Sequence, residues 1–158
     1  LWLLPASQRL RCLSLPLLLL VVGLQVRVQL RDDLIRVEQW GRQWLVLRHR
    51  GRAAMLSSHG DGLSCQIATR LSHGLGHQRL DWIAVLDPVG TDQQVCWTAL
   101  AQTLQSEQRG RFPLMPGQRL QSDGLSVGVA DQRGRSLKVR FGAQVQRLRR
   151  SDLQLQSS

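Results

Sequence analysis

The sequence predicts an α/β protein of the α+β kind, in which β-sheets are covered by helices, preceded by an apolar segment. Three observations predict this class. Runs that alternate apolar and polar residues occur near both ends of the region after Arg31. Two helix patterns occupy its middle, and a short, continuously apolar run separates them. The resulting order, β-β-β-α-β-α-β-β, favours layers of sheets and helices.

Composition narrows the class of partner. The chain has 158 residues, which suits one domain plus a short segment. It carries 21 basic and 11 acidic residues, a net charge of +10, and this excess indicates an acidic partner, either nucleic acid or anionic lipid. Three cysteines without paired spacing argue against a disulfide scaffold and a four-cysteine zinc site. The first residue is not Met, so we expect either a piece of a longer protein or a wrongly assigned start.

Residues 1–30 are predicted to be a membrane segment with one transmembrane helix at about residues 12–30. No residue between Arg11 and Arg27 is charged. As a helix this stretch is about 22 Å long. It spans a hydrocarbon core of about 30 Å when the flanking arginines reach the surface.

Two alternatives to the transmembrane helix remain open. A secretory signal peptide fits the basic start, although no small-x-small cleavage site follows Val22. A buried core helix is disfavoured by Pro16. If the basic loop before Arg11 is cytoplasmic, the region that follows the helix faces outward.

Residues 31–150 are predicted to form one domain, and residues 151–158 a polar tail. The domain begins with a meander of three strands between Leu34 and Ser58, with turns at Gly41 and Gly51. Trp40 and Trp44 flank the first turn, and we expect them to be the exposed aromatics of the chain.

The middle of the domain combines two helices with a buried strand. The first helix opens at Asp61-Gly62 and ends at Gly74 to Gly76, and the strand covers Leu80 to Leu86. The second helix is predicted to be capped by Thr91, with Gln94 completing a capping box. Its apolar stripe contains Cys96, Leu100 and Leu104, and Gln105 to Gly110 is a polar exit. Cys65 and Cys96 are expected to be small buried hydrophobes, and Trp82 and Trp97 to be core residues.

The last third of the domain returns to strands. Leu125 to Val129 and Leu137 to Phe141 alternate apolar and polar residues, and the loop from Asp131 to Arg135 joins them as a hairpin.

The search for catalytic chemistry predicts none. His73 and His77 have the spacing of two ligands on one helix face, but Gly74 and Gly76 interrupt the helix, so we interpret them as a polar helix terminus. The chain has no nucleophile elbow, no phosphate-binding glycine loop and no cysteine set beside a histidine. We therefore expect no catalytic residue, metal ligand, cofactor or small-molecule substrate.

Two arginine clusters are the candidate nucleic-acid contacts. Clusters of this kind follow a phosphate backbone, although a solvated surface or a lipid headgroup layer would explain them as well. The candidates are Arg48, Arg50 and Arg52 around one turn, and Arg147, Arg149 and Arg150 at the end of the last strand.

The order of these motifs resembles the C-terminal region of the ComEC family, bacterial competence channels that take single-stranded DNA across the inner membrane. The resemblance covers about residues 30–145 and is clearest from Arg79 to Pro88. Gly51 to Leu56 is similar to the family's strand before an Asp-Thr-Gly turn, and Ser136 to Gly142 to its late Ser-Leu strand. The resemblance implies a metallo-β-lactamase-like domain after the last membrane helix.

The chain departs from the family at its metal ligands. The family's Thr-His-Pro-x-x-Asp-His motif is matched here by Leu86-Asp87-Pro88 and then Thr91-Asp92, so Asp87 and Asp92 occupy degenerate ligand positions. The resemblance therefore implies a non-catalytic part of a DNA-uptake channel in the inner membrane, with its domain on the outer face. Its partners would be single-stranded DNA, the other channel helices and other competence proteins. The alternatives are a single-pass or secreted binding domain with no DNA role, and a degraded gene product.

Overall fold

The computed structural model describes residues 16–24, 32–107, 114–131, 136–149 and 152. The chain divides into two units, Leu1–Arg31 and Asp32–Ser158. In the first unit, residues 16–24 are helical (α1). Among the described residues, no helix has the length and apolar character needed to cross a membrane. The predicted span of residues 12–30 is described only over 16–24, and Arg150 and all of the polar tail except Asp152 lie outside the described residues.

The second unit contains a five-stranded mixed sheet. The first three strands form the predicted antiparallel meander, and the third, fourth and fifth run parallel. In spatial order the strands are β1 Asp33–Gln39, β2 Arg42–His49, β3 Arg52–Ser57, β4 Leu80–Val85 and β5 Ala101–Ser106. The apolar strand β4 lies between two neighbours and is almost entirely buried, as its composition predicts.

Two helices cover one face of this sheet. Helix α2, Gly62–Gly74, connects β3 to β4, and helix α3, Thr91–Leu100, connects β4 to β5. Apolar side chains of both helices pack with one side of the strands, since alternate residues of a strand point to opposite faces. Trp97 of α3 is fully buried in this layer. Its indole N–H donates to the carbonyl of Gly60 (3.1 Å).

A second, antiparallel sheet covers the other face. Its strands pair in chain order: β6 Arg119–Ser122, β7 Leu125–Val129, β8 Ser136–Phe141 and β9 Gln144–Arg149. Its apolar side packs against Leu45, Leu47 and Trp82 of the first sheet. The unit therefore has three layers: helices, a mixed sheet and an antiparallel sheet. The predicted α+β class is confirmed at this level.

Helix α3 and the segment after it differ from the prediction. The N-cap is Gly90, and no side chain caps this end; the hydroxyl of Thr91 donates to Asp92 Oδ1 instead (3.0 Å). The helix ends at Leu100, so Leu104 belongs to β5 and not to the helical stripe. Strand β5 lies at the edge of the sheet and is partly exposed, which is why a polar sequence can form it.

Cys65 is buried as expected, but the prediction that the two cysteines are unpaired hydrophobes is wrong. Cys65 of α2 and Cys96 of α3 form a disulfide, with their Cα atoms 6.4 Å apart. Both helices follow strands of one parallel set and lie side by side on the same face, and this brings two cysteines 31 residues apart into contact. Cysteine number and spacing alone do not contain this information.

The two tryptophans of the first turn have opposite environments. Trp40 lies in the β1–β2 turn and is 67 % exposed, as expected. Trp44 is fully buried, because its position on β2 points to the helix-covered face together with Val46. The prediction of exposure is wrong for Trp44. Trp82 and Trp97 are core residues, as predicted.

Candidate nucleic-acid interface

The first arginine cluster does not form one exposed surface. Arg48 is buried on the helix-covered side of β2, and within the described residues its Nε has no hydrogen-bond partner. Arg52 forms an ion pair with Asp81 (3.2 Å). Arg50, at the tip of the turn with φ +45°, is exposed. The three arginines surround one turn, but alternation along β2 turns Arg48 inward.

The second cluster belongs to a larger surface. Arg147 and Arg149 are exposed on β9. Arg147 lies opposite Lys138 of β8, and Arg149 lies opposite Ser136. Residues that lie opposite in an antiparallel pair point to the same side of the sheet. Since Leu137 is buried between the sheets, these side chains point outward.

The outer side of the second sheet is strongly basic. The register across all four strands aligns Arg119, Gly128, Lys138 and Arg147 in one row. None of the strands β6 to β9 contains a carboxylate, and within the described part of the chain no ion pair involves these cations. We call this surface the cationic face, and its members are Arg119, Lys138, Arg140, Arg147 and Arg149.

A groove of about 390 Å³ runs through the cationic face. Its floor is made of small residues of β7, Ser126 and Gly128, with Arg119 on one side and Lys138 on the other. A side chain at Gly128 would place its Cβ 3.2 Å from the Gln118 carbonyl oxygen, so a bulky residue fits poorly there. The groove therefore stays open between Arg119 and Lys138.

One hydrogen bond orients a cation at the groove. Arg140 Nε donates to the Gly142 carbonyl (3.1 Å), which fixes one edge of its guanidinium. Neighbouring strands are about 4.8 Å apart, so the cations form a closely spaced array. Such an array suits a repeating anion more than a single compact one.

Sequence reasoning missed Arg119, Lys138 and Arg140 as site residues. Lys138 and Arg140 already stood out as the polar partners of an alternating strand, and on a strand covered on one side these residues share the open face. What was missing was the pairing with β9 and the existence of β6. The sequence of β6 is polar, so no local pattern predicts a strand there.

The degenerate ligand positions lie where the parallel strands β3 and β4 end. Leu86 is buried in the core between the sheets. Asp87 Oδ2 accepts a long hydrogen bond from the backbone N–H of Gly60 (3.4 Å). Asp92 is exposed in the first turn of α3. Among the residues the structure describes, no group of three or more His, Cys, Asp or Glu side chains could hold a metal ion.

The histidine pair is separated by the end of a helix. His73 is in the last turn of α2, which ends at Gly74, and His77 follows in the connection to β4. Burial lowers the pKa of His77, and the nearby charge of Arg48 lowers it further, while Asp81 opposes the shift. The two imidazoles therefore do not share a helix face.

No protein-family model, no curated protein and no solved structure matches this chain.

Proposed function

We propose that this chain is a non-catalytic C-terminal part of a ComEC-like bacterial channel for DNA uptake, and that its cationic face contacts the backbone of single-stranded DNA. The observation that carries the proposal is the row Arg119–Gly128–Lys138–Arg147, with no carboxylate on the four strands. Phosphates bound by such cations release their counterions, which favours binding at low salt without reading sequence.

The environment of the degenerate ligand positions supports a role without metal catalysis. A zinc hydrolase needs at least three ligands and an open position for water. Here Leu86 is a core residue, Asp87 contacts the Gly60 amide and Asp92 is exposed at a helix start. The mixed sheet with helices on one side and a second sheet on the other is compatible with a degenerate metallo-β-lactamase-like domain.

The Cys65–Cys96 disulfide supports a location on the outer face of the inner membrane. Disulfides persist in oxidising compartments and are rare in the bacterial cytoplasm. The bond joins two helices of the domain, so the whole domain would fold on the oxidising side. In that position it would meet incoming DNA beside the other channel helices and competence proteins.

The test is the salt dependence of binding of a fluorescent oligo(dT) 12-mer to the full chain, measured by anisotropy. The variant is Lys138→Gln with Arg147→Gln. For single strands each lost phosphate contact reduces the slope of log K against log salt by about 0.7, so this variant should reduce it by about 1.4.

The matched control is Arg50→Gln with Arg79→Gln, which removes the same charge from exposed residues that are not members of the cationic face. The control should keep the wild-type slope to within about one third of that change. Equal slopes for both double variants would contradict the proposed interface. The proposal would also fail if the full chain showed no binding at low salt.

A further inference from the structure

We infer that a second groove, beside Trp40, binds one unpaired nucleobase. This Trp40 groove has a volume of about 290 Å³ and lies between the β1–β2 turn and helix α2. Its lining includes Trp40, two glutamines, Arg70 and aliphatic residues of α2. The inference rests on the proposed function for the kind of polymer, but it uses no residue of the cationic face.

Trp40 is in a backbone conformation that does not suit it. The two-residue turn has positive φ at both positions, +51° at Trp40 and +71° at Gly41. Such turns prefer Asn-Gly, and a bulky residue at positive φ is a genuine outlier. The indole gains no compensating burial, since it is 67 % exposed. Residues held in this way cluster at ligand sites, so the strain and the exposure together point to a ligand.

Arg42 fixes the turn relative to the helix. Its guanidinium bonds to both carboxylate oxygens of Asp61 (2.6 and 3.3 Å), the N-cap of α2, and it donates to the carbonyl of Trp40 (3.5 Å). The two walls of the groove are therefore connected through one side chain. A site of fixed width costs less ordering on binding than a mobile one.

The chemistry of the lining suits a base. The indole offers a free aromatic surface for stacking, and Leu63 and Ile67 supply an apolar floor. The amides of Gln39 and Gln66 can each donate and accept at the edge of a ring.

The charge of the lining favours a nucleic acid over a lipid. Arg70 is the cation available to an adjoining phosphate, and the lining contains no carboxylate. The amides and the concave shape disfavour a lipid tail, which would leave these polar groups unpaired. A duplex hides its base faces, so the ligand is a single strand.

The test compares two oligonucleotides of equal charge, oligo(dT) 12-mer and an abasic 12-mer, binding to the full chain. We expect the wild type to bind oligo(dT) about tenfold more tightly, the order of effect of one stacked base. Trp40→Asn should remove this preference by weakening oligo(dT) about tenfold and leaving the abasic strand unchanged. Trp40→Phe should keep most of it.

Stability separates a binding role from a structural one. Asn accepts positive φ better than Trp, so Trp40→Asn should raise the melting temperature while it weakens base-dependent binding. A fall in melting temperature with equal loss for both oligonucleotides would indicate a structural role and overturn the inference.

The remaining outcomes distinguish this inference from the proposed function. Equal wild-type affinity for both oligonucleotides would overturn base stacking and leave the cationic face intact. No binding of either would overturn both proposals. Flotation with phosphatidylglycerol vesicles that Trp40→Asn weakens, without any base preference, would assign the groove to a membrane surface and overturn the inference.

Discussion

A single histidine at the end of β2 connects the two sheets. His49 Nδ1 lies 2.6 Å from Asp32 Oδ1, and its ring fills the space beside Gly124 and Gly142 of the second sheet. Both glycines have positive φ, and the Gly142 amide donates to the Gly124 carbonyl (2.7 Å). The close approach of the two sheets at this point requires that neither Gly124 nor Gly142 has a side chain.

Gly124→Ala should therefore lower the free energy of unfolding by about 2 to 4 kcal/mol, because it combines the cost of positive φ with a clash against the imidazole of His49. Gly117→Ala is the matched control, since Gly117 also has positive φ but open space around it. The control should lose only about 1 kcal/mol. Urea unfolding measures both, and equal losses would show that the contact with His49 contributes nothing.

Asp61 gives the domain a dependence on acid pH. Burial alone would raise its pKa, but hydrogen bonds from Arg42 and Ser64 outweigh it and hold the pKa at about 2. A carboxyl whose pKa is lowered on folding stabilises the fold above its unfolded pKa and loses this effect as pH falls through the folded pKa. Part of the stability should therefore disappear between about pH 4 and pH 2.

The variant Asp61→Asn keeps a good N-cap and removes the charge, so its melting temperature should vary less over that interval. Asp61→Ala also removes the cap and should cost a further 1 kcal/mol or so at neutral pH. Thermal unfolding from pH 2 to pH 7 measures both. An unchanged pH profile for Asp61→Asn would assign the acid sensitivity to another group.

Among the elements, the disulfide between α2 and α3 has the clearest energetic consequence. It closes a loop of 31 residues that includes all of β4. A cross-link of this length restricts the unfolded chain and typically stabilises by about 3 kcal/mol. The double variant Cys65→Ala with Cys96→Ala should lose about that amount. Dithiothreitol should destabilise the wild type and leave the double variant unchanged; equal sensitivity would contradict the pairing.

The buried elements of this domain were easier to predict from the sequence than the exposed ones. Strand β4 and helix α2 are buried by the layers around them. The spacing of their apolar residues therefore follows the pattern expected for a buried strand and for a helix. Strands β5, β6 and β9 lie at sheet edges, and their sequences are largely polar. Their place is decided by pairing with a neighbour, which a local pattern does not record.

The cationic face was less predictable from the sequence than the buried helices and strands. Arg147 and Arg149 could be named as a basic pair, but Lys138 comes from the preceding strand β8 and Arg119 from β6, which is separated from β9 by two strands. Only the register brings these cations together. The reverse holds for Arg48, which has basic neighbours in sequence and is buried by strand alternation.

At the scale of the whole domain, the three layers separate two kinds of surface. The cationic face is the outer side of the antiparallel sheet, and the Trp40 groove borders α2 in the helix layer. The mixed sheet lies between them and contributes mostly buried side chains. If both proposals hold, backbone contacts and base contacts would lie on opposite layers of one domain.

This separation makes affinity depend on the length of the strand. The two surfaces are separated by at least two layer spacings of about 10 Å each, and a strand must run around the edge of the domain, so it needs more than about six nucleotides at about 3.4 Å each. A tetramer can occupy one surface only, whereas a strand of twelve or more holds its second contact at a high effective concentration. Affinity for oligo(dT) should rise steeply between these lengths in the wild type and gradually in Trp40→Asn. The domain would then favour long single strands over short fragments without recognising any sequence.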